Sequence, residues 1–390
     1  AFVSTNSITQ GEQVGILWSV MLNYYKVNIH FAHRTFKWSN EAKGVAAVHC
    51  VIVGFASFNI TQKKLFDYEG ISKEPQELAV KNINPYLVDG NDILISRRQA
   101  PICDVPNVVR GSIAYDGGYF FITKELLANI EMQEPEILDY IRSYIGSTEY
   151  INNNWRKCFW LKDVEPAIIR KSKILSEVVK KVFDFRSHEN AGQSVKSKAK
   201  MPTLFGDIRQ PETDYIVIPR VSSERRNYIP FGFVSKDVIL GDGAYGVPNA
   251  SFYLLGMLTS IMHMAWVKYT CGRLKSDYRY SKDIVYNNYP FPLSPTDAQK
   301  QKVEAAAQAV LDARARYPDS SLADLYDPVT MPPDLVKAHQ ALDKAVDLCY
   351  RPQPFAGELS RIEFLFGLYE QYTAGLFGSA PAKGQKKNKG

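Results

Sequence analysis

Closely spaced cysteines are lacking in this sequence. The cysteines are odd in number and scattered along the chain, which argues against a disulfide framework and against a thiolate zinc site. Among the six histidines, His30 and His33 form the one close pair, and no cysteine accompanies them. We therefore expect no metal site, and a reducing, cytoplasmic setting. The five cysteines are Cys50, Cys103, Cys158, Cys271 and Cys349.

Long apolar runs are also lacking. A helix needs about 20 predominantly apolar residues to cross a bilayer. The best candidate, residues 252–267, is too short and contains Thr259, Ser260 and His263. A buried core helix is the better interpretation, and no signal peptide opens the chain. We expect no membrane partner.

Phosphate-binding and nucleophile motifs are absent as well. The sequence has no GxxxxGK[ST] loop, no G-x-S-x-G elbow, and no GxGxxG that follows a strand and opens a helix. Residues 241–246 (GDGAYG) resemble a glycine fingerprint, but their flanks lack the strand–turn–helix unit. The sequence therefore shows no complete active site, and we expect no cofactor to bind this chain alone.

The charge that is present is unevenly distributed. The formal net charge of +6 comes from 47 Lys and Arg against 41 Asp and Glu. Between Arg170 and Arg226 there are 13 Lys and Arg against 7 Asp and Glu, and this difference of 6 equals the whole surplus. A local basic segment suits a polyanionic partner, but a solvated loop is an equally good interpretation.

Hydrophobic periodicity predicts a mixed fold, α/β followed by α+β. A hydrophobic content of 45% is enough to build cores. Within residues 1–60 the pattern predicts a strand at 2–7, a helix at 11–25, and strands at 27–31 and 45–58. The last run is strongly apolar, as in a strand buried on both faces. This order would supply the last strands of a doubly wound, Rossmann-like sheet, with an antiparallel final strand.

The remainder of the chain divides by composition. Residues 61–88 are polar and contain two prolines, which suggests a connector. Residues 89–292 show short apolar runs broken by glycine and proline, typical of a mixed, β-rich domain. Residues 293–378 show helical stripes, so we expect a helical bundle, with Ser294 as the N-cap of its first helix. We expect the basic tail at 379–390 to be disordered.

Three clusters of cations are present, and two of them include tyrosines. One follows an apolar run and should leave the end of a strand, one precedes a predicted strand, and the densest lies at 268–282. Arginine can grip guanine or phosphate, and lysine neutralises phosphate. An ordinary solvated surface with ion pairs is the competing interpretation. The candidate nucleic-acid-binding residues are Arg97, Arg98, Arg225, Arg226, Tyr228, Lys268, Arg273, Lys275, Tyr278, Arg279 and Tyr280.

Two large aromatic residues lie near the end of the second predicted strand. Phe36 and Trp38 belong to the run HRTFKW at 33–38. An α/β sheet places its ligand crevice at the carboxyl ends of its strands. The two rings could sandwich a flat base extruded from a duplex. The alternative, that they form the core of a hairpin with a turn at 38–41, stays open.

Seven segments resemble the MmeI-like, type IIL restriction–modification family of adenine-N6 DNA methyltransferases. Three resemble the end of its methyltransferase domain, two its target-recognition domain and two its C-terminal helical region. The likeness extends over nearly the whole chain and is most specific at 262–292. In order, the segments are 1–13 (AFVSTNSITQGEQ), 33–42 (HRTFKWSNEA), 46–55 (AAVHCVIVGF), 222–230 (SSERRNYIP), 262–292 (MHMAWVKYTCGRLKSDYRYSKDIVYNNYPFP), 325–333 and 338–350.

The resemblance implies a mechanism. Such enzymes bind S-adenosylmethionine, flip an adenine out of the duplex and transfer a methyl group to its exocyclic nitrogen. The family's cofactor motif and Asn-Pro-Pro-aromatic motif belong upstream of Ala1; no Asn-Pro-Pro occurs here, and residues 84–86 (NPY) are a near-match after the sheet. Phe36 carries over as a base-stacking wall. The implied partner is double-stranded DNA in a prokaryotic cytoplasm.

Three functions stay open. The chain could be a piece of such a methyltransferase, inactive alone and functional when joined to, or paired with, its N-terminal half. It could be a stand-alone DNA-binding specificity module, or the inactive product of a truncated reading frame. Residues 1–60 favour the first, because a specificity module has no use for strands that complete a cofactor-binding sheet. Since the chain starts without methionine, inside a predicted strand, we expect a fragment.

Overall fold

A computed structural model describes residues 1–38, 48–68 and 74–374 of the chain. The predicted turn after Trp38 and the predicted disordered tail at 379–390 lie outside the described residues. The chain forms two compact units, each built from separate stretches of sequence. Unit 1 contains residues 1–105, 260–300 and 343–390, and unit 2 contains residues 106–259 and 301–342.

The described residues form sixteen strands and twelve α-helices. The strands are β1 (Phe2–Thr5), β2 (Asn28–Trp38), β3 (Val48–Ala56), β4 (Lys63–Asp67), β5 (Gln76–Val80), β6 (Val109–Arg110), β7 (Phe121–Ile122), β8 (Ile141–Ile145), β9 (Arg156–Phe159), β10 (Tyr215–Pro219), β11 (Val221–Ser222), β12 (Gly232–Val234), β13 (Ile239–Leu240), β14 (Ala244–Pro248), β15 (Gly272–Leu274) and β16 (Asp277–Arg279). The helices are α1 (Glu12–Asn23), α2 (Lys124–Gln133), α3 (Ser147–Ile151), α4 (Pro166–Lys171), α5 (Lys173–Ser187), α6 (Gln193–Lys196), α7 (Phe252–Thr259), α8 (Ile261–Thr270), α9 (Asp297–Ala315), α10 (Leu322–Leu325), α11 (Pro333–Tyr350) and α12 (Glu358–Ala374).

A five-stranded sheet of order β1-β3-β2-β4-β5 organises the first part of unit 1. The apolar strand β3 runs antiparallel to both of its neighbours, β1 and β2, while β2 and β4 are parallel. The fold class predicted from the sequence, an α/β sheet with an antiparallel strand, is confirmed. Strand β3 is internal in the sheet and has buried residues on both of its faces, in agreement with its apolar sequence.

Helix α1 covers one face of this sheet. It follows Gly11, whose φ of 61° suits glycine, and a Cβ there would come within 2.9 Å of the Cα of Gly272. Trp18 is buried and contacts Phe55 of β3 edge to face, with ring centroids 6.5 Å apart. Its indole N–H donates to the carbonyl of Ile8 at 2.8 Å, which fixes the helix to the turn after β1.

Residues 61–88 do not form the connector expected from the sequence. The segment contains β4 and β5, which extend the sheet beyond β2. Its polar composition has a local cause, since β5 is an edge strand whose side chains are largely exposed. Lys63 of β4 is buried, and its ammonium group donates to Asn82 Oδ1 at 2.6 Å.

The buried core helix expected at 252–267 is confirmed as two shorter helices, α7 and α8. Ser260 separates them, because its hydroxyl accepts from the amide of His263 and caps α8. In unit 1, α8 packs on α12 through Trp266, whose ring contacts those of Phe366 and Tyr369. No helix within the described part of the chain is long and apolar enough to span a membrane.

Unit 2 contains two four-stranded sheets, of order β12-β10-β14-β6 and β13-β8-β9-β7. The prediction of a mixed, β-rich region is confirmed, but the sequence pattern missed helices such as α5. That helix buries Leu175, Val178 and Val182, a spacing of three and four residues typical of a helix. Its last buried side chain is Arg186. Because charged residues surround the buried apolar positions of α5, the helical spacing was not recognised in the sequence.

The helical C-terminal region is confirmed, with one correction. The first helix, α9, is capped by Thr296 rather than by Ser294 as predicted. The Thr296 hydroxyl accepts from the amide of Gln299, and the Gln299 side chain accepts from the amide of Thr296, which makes a capping box. In α11 the predicted stripe of Leu335 and Leu342 is fully buried.

Candidate functional site

An aromatic cluster lies at the carboxyl ends of the parallel strands β2 and β4. Phe36 is half-buried in β2, and its ring centroid is 6.1 Å from that of Trp38 and 5.2 Å from that of Tyr68, the residue after β4. The Trp38 side chain is 50% exposed. A register shift in β2 between His33 and Phe36 re-aims the strand at this point. The cluster is therefore a partly open aromatic wall.

The base of the aromatic wall is uncharged. His33 Nδ1 and the Tyr68 hydroxyl are hydrogen-bonded at 2.8 Å, and the His33 ring stacks on Phe66 with centroids 4.4 Å apart. Burial lowers the pKa of His33 and raises the pKa of Tyr68, so both are neutral at pH 7. A neutral aromatic wall suits a flat, uncharged ring such as a nucleobase.

The segment 268–282, the densest cationic cluster in the sequence, contains the end of α8 and the hairpin β15–β16. The two strands pair antiparallel, and Lys275 starts the two-residue turn with a φ of 57°. Lys275 and Arg279 are exposed. These two side chains could reach a phosphate or a base edge without any change in the hairpin.

Other candidate DNA-binding residues in this segment make contacts within unit 1 that stabilise it. Arg273 lies 3.9 Å above the ring of Tyr278 and donates to the carbonyl of Ser276 at 3.2 Å. Lys268 forms an ion pair with Glu358. Their charges are therefore engaged within unit 1, whereas those of Lys275 and Arg279 face solvent.

Three predicted DNA-binding tyrosines are core residues, which corrects the sequence-based assignment. Tyr278 and Tyr280 are buried in unit 1, and the Tyr280 hydroxyl is hydrogen-bonded to His263 Nε2 at 2.9 Å. Tyr228 is buried in unit 2, where its ring stacks on His339 with centroids 4.0 Å apart. A buried tyrosine satisfies its hydroxyl inside the protein and offers no ring face to a ligand.

Arg97 and Arg98 do not leave the end of a strand, since the residues before them form no regular structure. Arg97 is 63% exposed and pairs with Asp283 at 3.0 Å and Glu12 at 3.6 Å. The Arg98 Nε–H donates to Asn288 Oδ1 at 2.9 Å. Arg98 therefore links two distant parts of unit 1, and its predicted contact with DNA would have to break this bond.

In unit 2, Arg225 and Arg226 differ in exposure. The Arg225 side chain is 64% exposed, with one ion pair of 3.4 Å to Asp327. Arg226 is partly buried and donates to the Ser222 hydroxyl at 3.2 Å. Arg225 is better placed than Arg226 to bind a partner in solution, because a long, exposed ion pair can be replaced by a contact with the partner at little cost in free energy.

Several cations on the sheets of unit 2 were not predicted from the sequence. Arg156, at the start of β9, lies 3.5 Å above the ring of Phe121, and the preceding Trp155 is largely exposed. Arg220 lies 5.2 Å from the ring of Tyr245. The signal was available in the run NNNWRK at 152–157, which combines amides, an aromatic residue and cations.

The described residues contain no group of three or more His, Cys, Asp or Glu side chains arranged to hold a metal ion. The glycine-rich run at 241–246, which only resembles a fingerprint, forms the turn between β13 and β14 and the first three residues of β14, and it opens no helix. Neither feature offers a cradle for a cofactor.

An aromatic wall at the carboxyl edge of an α/β sheet, followed in the chain by a cationic, β-rich region, combines a surface suited to a flat base with one suited to a polyanion. Three family models match the chain. "MmeI, DNA-methyltransferase domain" matches residues 1–67, "MmeI, target recognition domain" matches residues 89–293, and "MmeI, C-terminal domain" matches residues 295–377. The chain belongs to the MmeI family of methyltransferases, and it contains the family's target-recognition domain.

Two relatives show how similar the chain is to known proteins. The chain is 40% identical over 373 residues to "DNA methyltransferase A" of Bacillus subtilis (strain 168), which covers 96% of this chain and 41% of that protein. It is also similar to a solved structure of the type IIL restriction–modification enzyme MmeI in complex with DNA. The TM-score is 0.85 and the identity 45%, over 96% of this chain and 49% of that one. The chain therefore spans half the length of these relatives, or less.

Proposed function

We propose that this chain reads the DNA target for an S-adenosylmethionine-dependent, adenine-N6-specific DNA methyltransferase of a restriction–modification system. The exposure of Lys275 and Arg279 on a hairpin within the target-recognition match supports the proposal most directly. An arginine can bind a guanine edge bidentately, and a lysine neutralises phosphate. Arg225 contributes in the same way from unit 2, once a phosphate contact replaces its ion pair with Asp327. Arg97 and Arg98 contribute from unit 1, once phosphate replaces the ion pair of Arg97 with Asp283 and the hydrogen bond of Arg98 with Asn288.

Phe36 acts in the proposed mechanism as the stacking wall for the flipped adenine. It lies within the residues that match the methyltransferase-domain model, and its ring is partly open. The neutral pair of His33 and Tyr68 supports that ring without placing a charge beside the base. Enzymes that modify a base take it out of the stack and hold it between flat side chains.

The residues of this chain do not fit a complete S-adenosylmethionine site. The sequence has no Asn-Pro-Pro, and no glycine-rich loop joins a strand to a helix within the described residues. When bound, the cofactor supplies the methyl group. We propose that the N-terminal half of the methyltransferase, covalently joined or as a separate polypeptide, holds it. The complete enzyme would act in the prokaryotic cytoplasm, where its DNA lies.

Selection from randomised duplexes tests the recognition role with this chain alone. The chain is mixed with a pool of random-sequence DNA, and the bound fraction is sequenced after several rounds. We expect enrichment of one sequence, with an affinity that falls steeply as salt rises, because phosphate contacts release counterions. Enrichment of no sequence would contradict the proposal.

Calorimetry with S-adenosylmethionine separates the proposal from a stand-alone specificity module. We expect no heat of binding with this chain alone, and binding after addition of an N-terminal half. Sequence-specific DNA binding with no cofactor binding in any such mixture would favour the specificity module. Cofactor binding by this chain alone would contradict the proposed division between the two halves.

A further inference from the structure

Strand β2 contains one extra residue just before the aromatic wall. His33 lies opposite Ile52 of β3 and Phe36 lies opposite Cys50, so three steps along β2 correspond to two steps along β3. In a regular strand His33 and Phe36 would lie on opposite faces, because successive side chains alternate. The bulge brings them to the same face, where both contact Tyr68. The aromatic wall therefore depends on this bulge.

Arg34 is one of the two residues between the ends of the bulge, and its side chain is buried. Its Nε group donates to the carbonyl of Leu87 at 2.9 Å, and its Nη1 group donates to Asp67 Oδ2 at 3.0 Å. A guanidinium is planar and rigid, so contacts at two of its nitrogens fix its orientation. Arg34 therefore fixes the backbone of β2 at the bulge.

Asp67 connects the same ion pair to the second strand of the wall. It is the last residue of β4, and its Oδ1 atom accepts from the amide of Tyr68 at 3.1 Å, while Oδ2 accepts from Arg34. The side chains of Arg34 and Asp67 are 9% and 28% exposed. Water and salt screen a largely buried ion pair less than an exposed one. The pair is therefore suited to hold β2 and β4 in a fixed geometry beside the wall.

Resting on the proposed function, we infer that the Arg34–Asp67 ion pair positions the rings of the aromatic wall to stack on the flipped adenine. Arg34 holds the bulge that turns Phe36 toward the wall, and Asp67 holds the backbone of Tyr68. Because Arg34 is buried, it acts on the base only through these two rings. Residues that stack on a reacting base must themselves be held in place by neighbouring side chains. Arg34 and Asp67 are positioning residues in this sense.

Single-turnover methylation by the complete enzyme, at saturating DNA and cofactor, tests the inference. We expect Arg34→Lys to lower the rate about 10-fold, because lysine keeps the charge but cannot contact both Leu87 and Asp67, and the wall is then misplaced. Asp67→Ala should lower the rate to a similar extent. The DNA dissociation constant should stay within about twofold in both variants, because neither side chain supplies a contact to phosphate or a base edge.

Glu77→Ala is the matched control, because Glu77 forms an exposed ion pair with Lys64 in the same sheet, and its loss should leave the rate unchanged. A double-mutant cycle then separates positioning from a general loss of stability. If Arg34 acts through the wall, Arg34→Lys should have little further effect on the rate of a Phe36→Ala enzyme. Rate losses that multiply in the double variant would overturn the inference.

A crystal structure of the Arg34→Lys chain measures the positions of the rings directly. We expect the Phe36 and Tyr68 rings to leave their centroid separation of 5.2 Å, and unchanged ring positions would overturn the inference. If Arg34→Lys does not fold, the same measurements on Asp67→Ala replace it, because Asp67 is partly exposed.

The rate of the Phe36→Ala enzyme keeps the two proposals apart. An unchanged rate in Phe36→Ala would remove the stacking role from the proposed function, and the inference with it. A lower rate in Phe36→Ala, with unchanged rates in Arg34→Lys and Asp67→Ala, would overturn only the inference.

Discussion

His33 and Tyr68 are joined by a hydrogen bond of 2.8 Å across the parallel strands β2 and β4. The bond holds the Tyr68 ring beside Phe36, the ring that the sequence identified as a base-stacking candidate. Burial keeps the imidazole neutral, since it lowers the pKa of His33. The aromatic wall is thus assembled from two strands. It depends on the hydrogen bond between His33 and Tyr68, which could not be predicted from the sequence of either strand alone.

Replacement of Phe36 should affect methylation more than DNA binding. In the complete enzyme, we expect Phe36→Ala to lower the methylation rate about 10- to 100-fold, the loss of one stacked base–aromatic contact. The DNA dissociation constant should change little. Phe58→Ala, which removes an exposed phenylalanine of the same unit outside the wall, should leave both unchanged. Equal losses in rate and affinity would remove Phe36 from the flipped-base site.

Loss of the hairpin cations should weaken DNA binding and flatten its salt dependence. We expect Lys275→Ala, Arg279→Ala to reduce the slope of log affinity against log salt by about 1 for each phosphate contact removed. Fluorescence anisotropy over a salt series measures both quantities. Lys81→Ala, which removes another exposed lysine of unit 1, is the control. An unchanged slope would place the hairpin away from the phosphate backbone.

The triple variant Arg225→Ala, Arg226→Ala, Arg273→Ala tests the recognition role across both units. We expect weaker DNA binding or relaxed sequence preference, and selection from randomised duplexes detects both. The single variants should differ. Arg225→Ala should leave the melting temperature unchanged because its ion pair is exposed, whereas Arg273→Ala should lower it by removing the contact with Tyr278. Unaltered DNA binding by the triple variant would refute the recognition role of Arg225 and Arg226 and of the hairpin that Arg273 stabilises.

Arg186 should be essential to the stability of unit 2. Its buried guanidinium donates to five backbone carbonyls, and Arg186→Met would remove all five of these hydrogen bonds, although three of the carbonyls also accept a backbone amide. We expect a loss of at least about 3 kcal/mol in the free energy of unfolding, measured by urea denaturation. Lys181→Met, on the exposed side of the same helix, should have little effect. The five acceptors are the carbonyls of Ala114, Tyr115, Lys198, Met201 and Leu204.

Acid should destabilise both units through buried histidines. Burial lowers the pKa of His263 to about 3, and burial together with Arg314 holds the pKa of His339 well below its usual range. The unfolded chain takes up a proton near pH 6.5, whereas the folded units do not. Stability is therefore full above about pH 6.5 and falls below it, by roughly 1 kcal/mol per histidine at pH 5.5.

Urea denaturation at pH 7.5 and 5.5 measures this change. Variants His263→Gln and His339→Gln should each lose their share of the pH dependence, although both lower the stability at neutral pH. His188→Gln is the control, because His188 is exposed and should contribute nothing to the difference. Equal stability of the unaltered chain at the two pH values would contradict the prediction.

Most local elements, and the family, could be predicted from the sequence alone. The apolar run of β3 and the stripe of α11 each follow from the contacts of neighbouring residues, which periodicity reports directly. For α1 the sequence predicted the helix but not its buried face, since Val14 and Trp18 are buried whereas Leu17 and Val20 are exposed. The resemblance at 262–292 was enough to indicate the target-recognition domain. The pattern missed β4, β5 and α5, because edge exposure or surrounding charge concealed their apolar residues.

Which candidate side chains are available to a ligand depends on the tertiary fold and could not be predicted. Arg98 is held by Asn288, 190 positions further along the chain, and Tyr228 is covered by His339. Lys275 and Arg279, in the same sequence cluster as the buried Tyr278, remain exposed. Periodicity records which face of an element a residue occupies, but burial depends on what packs against that face, and here that partner is distant in sequence.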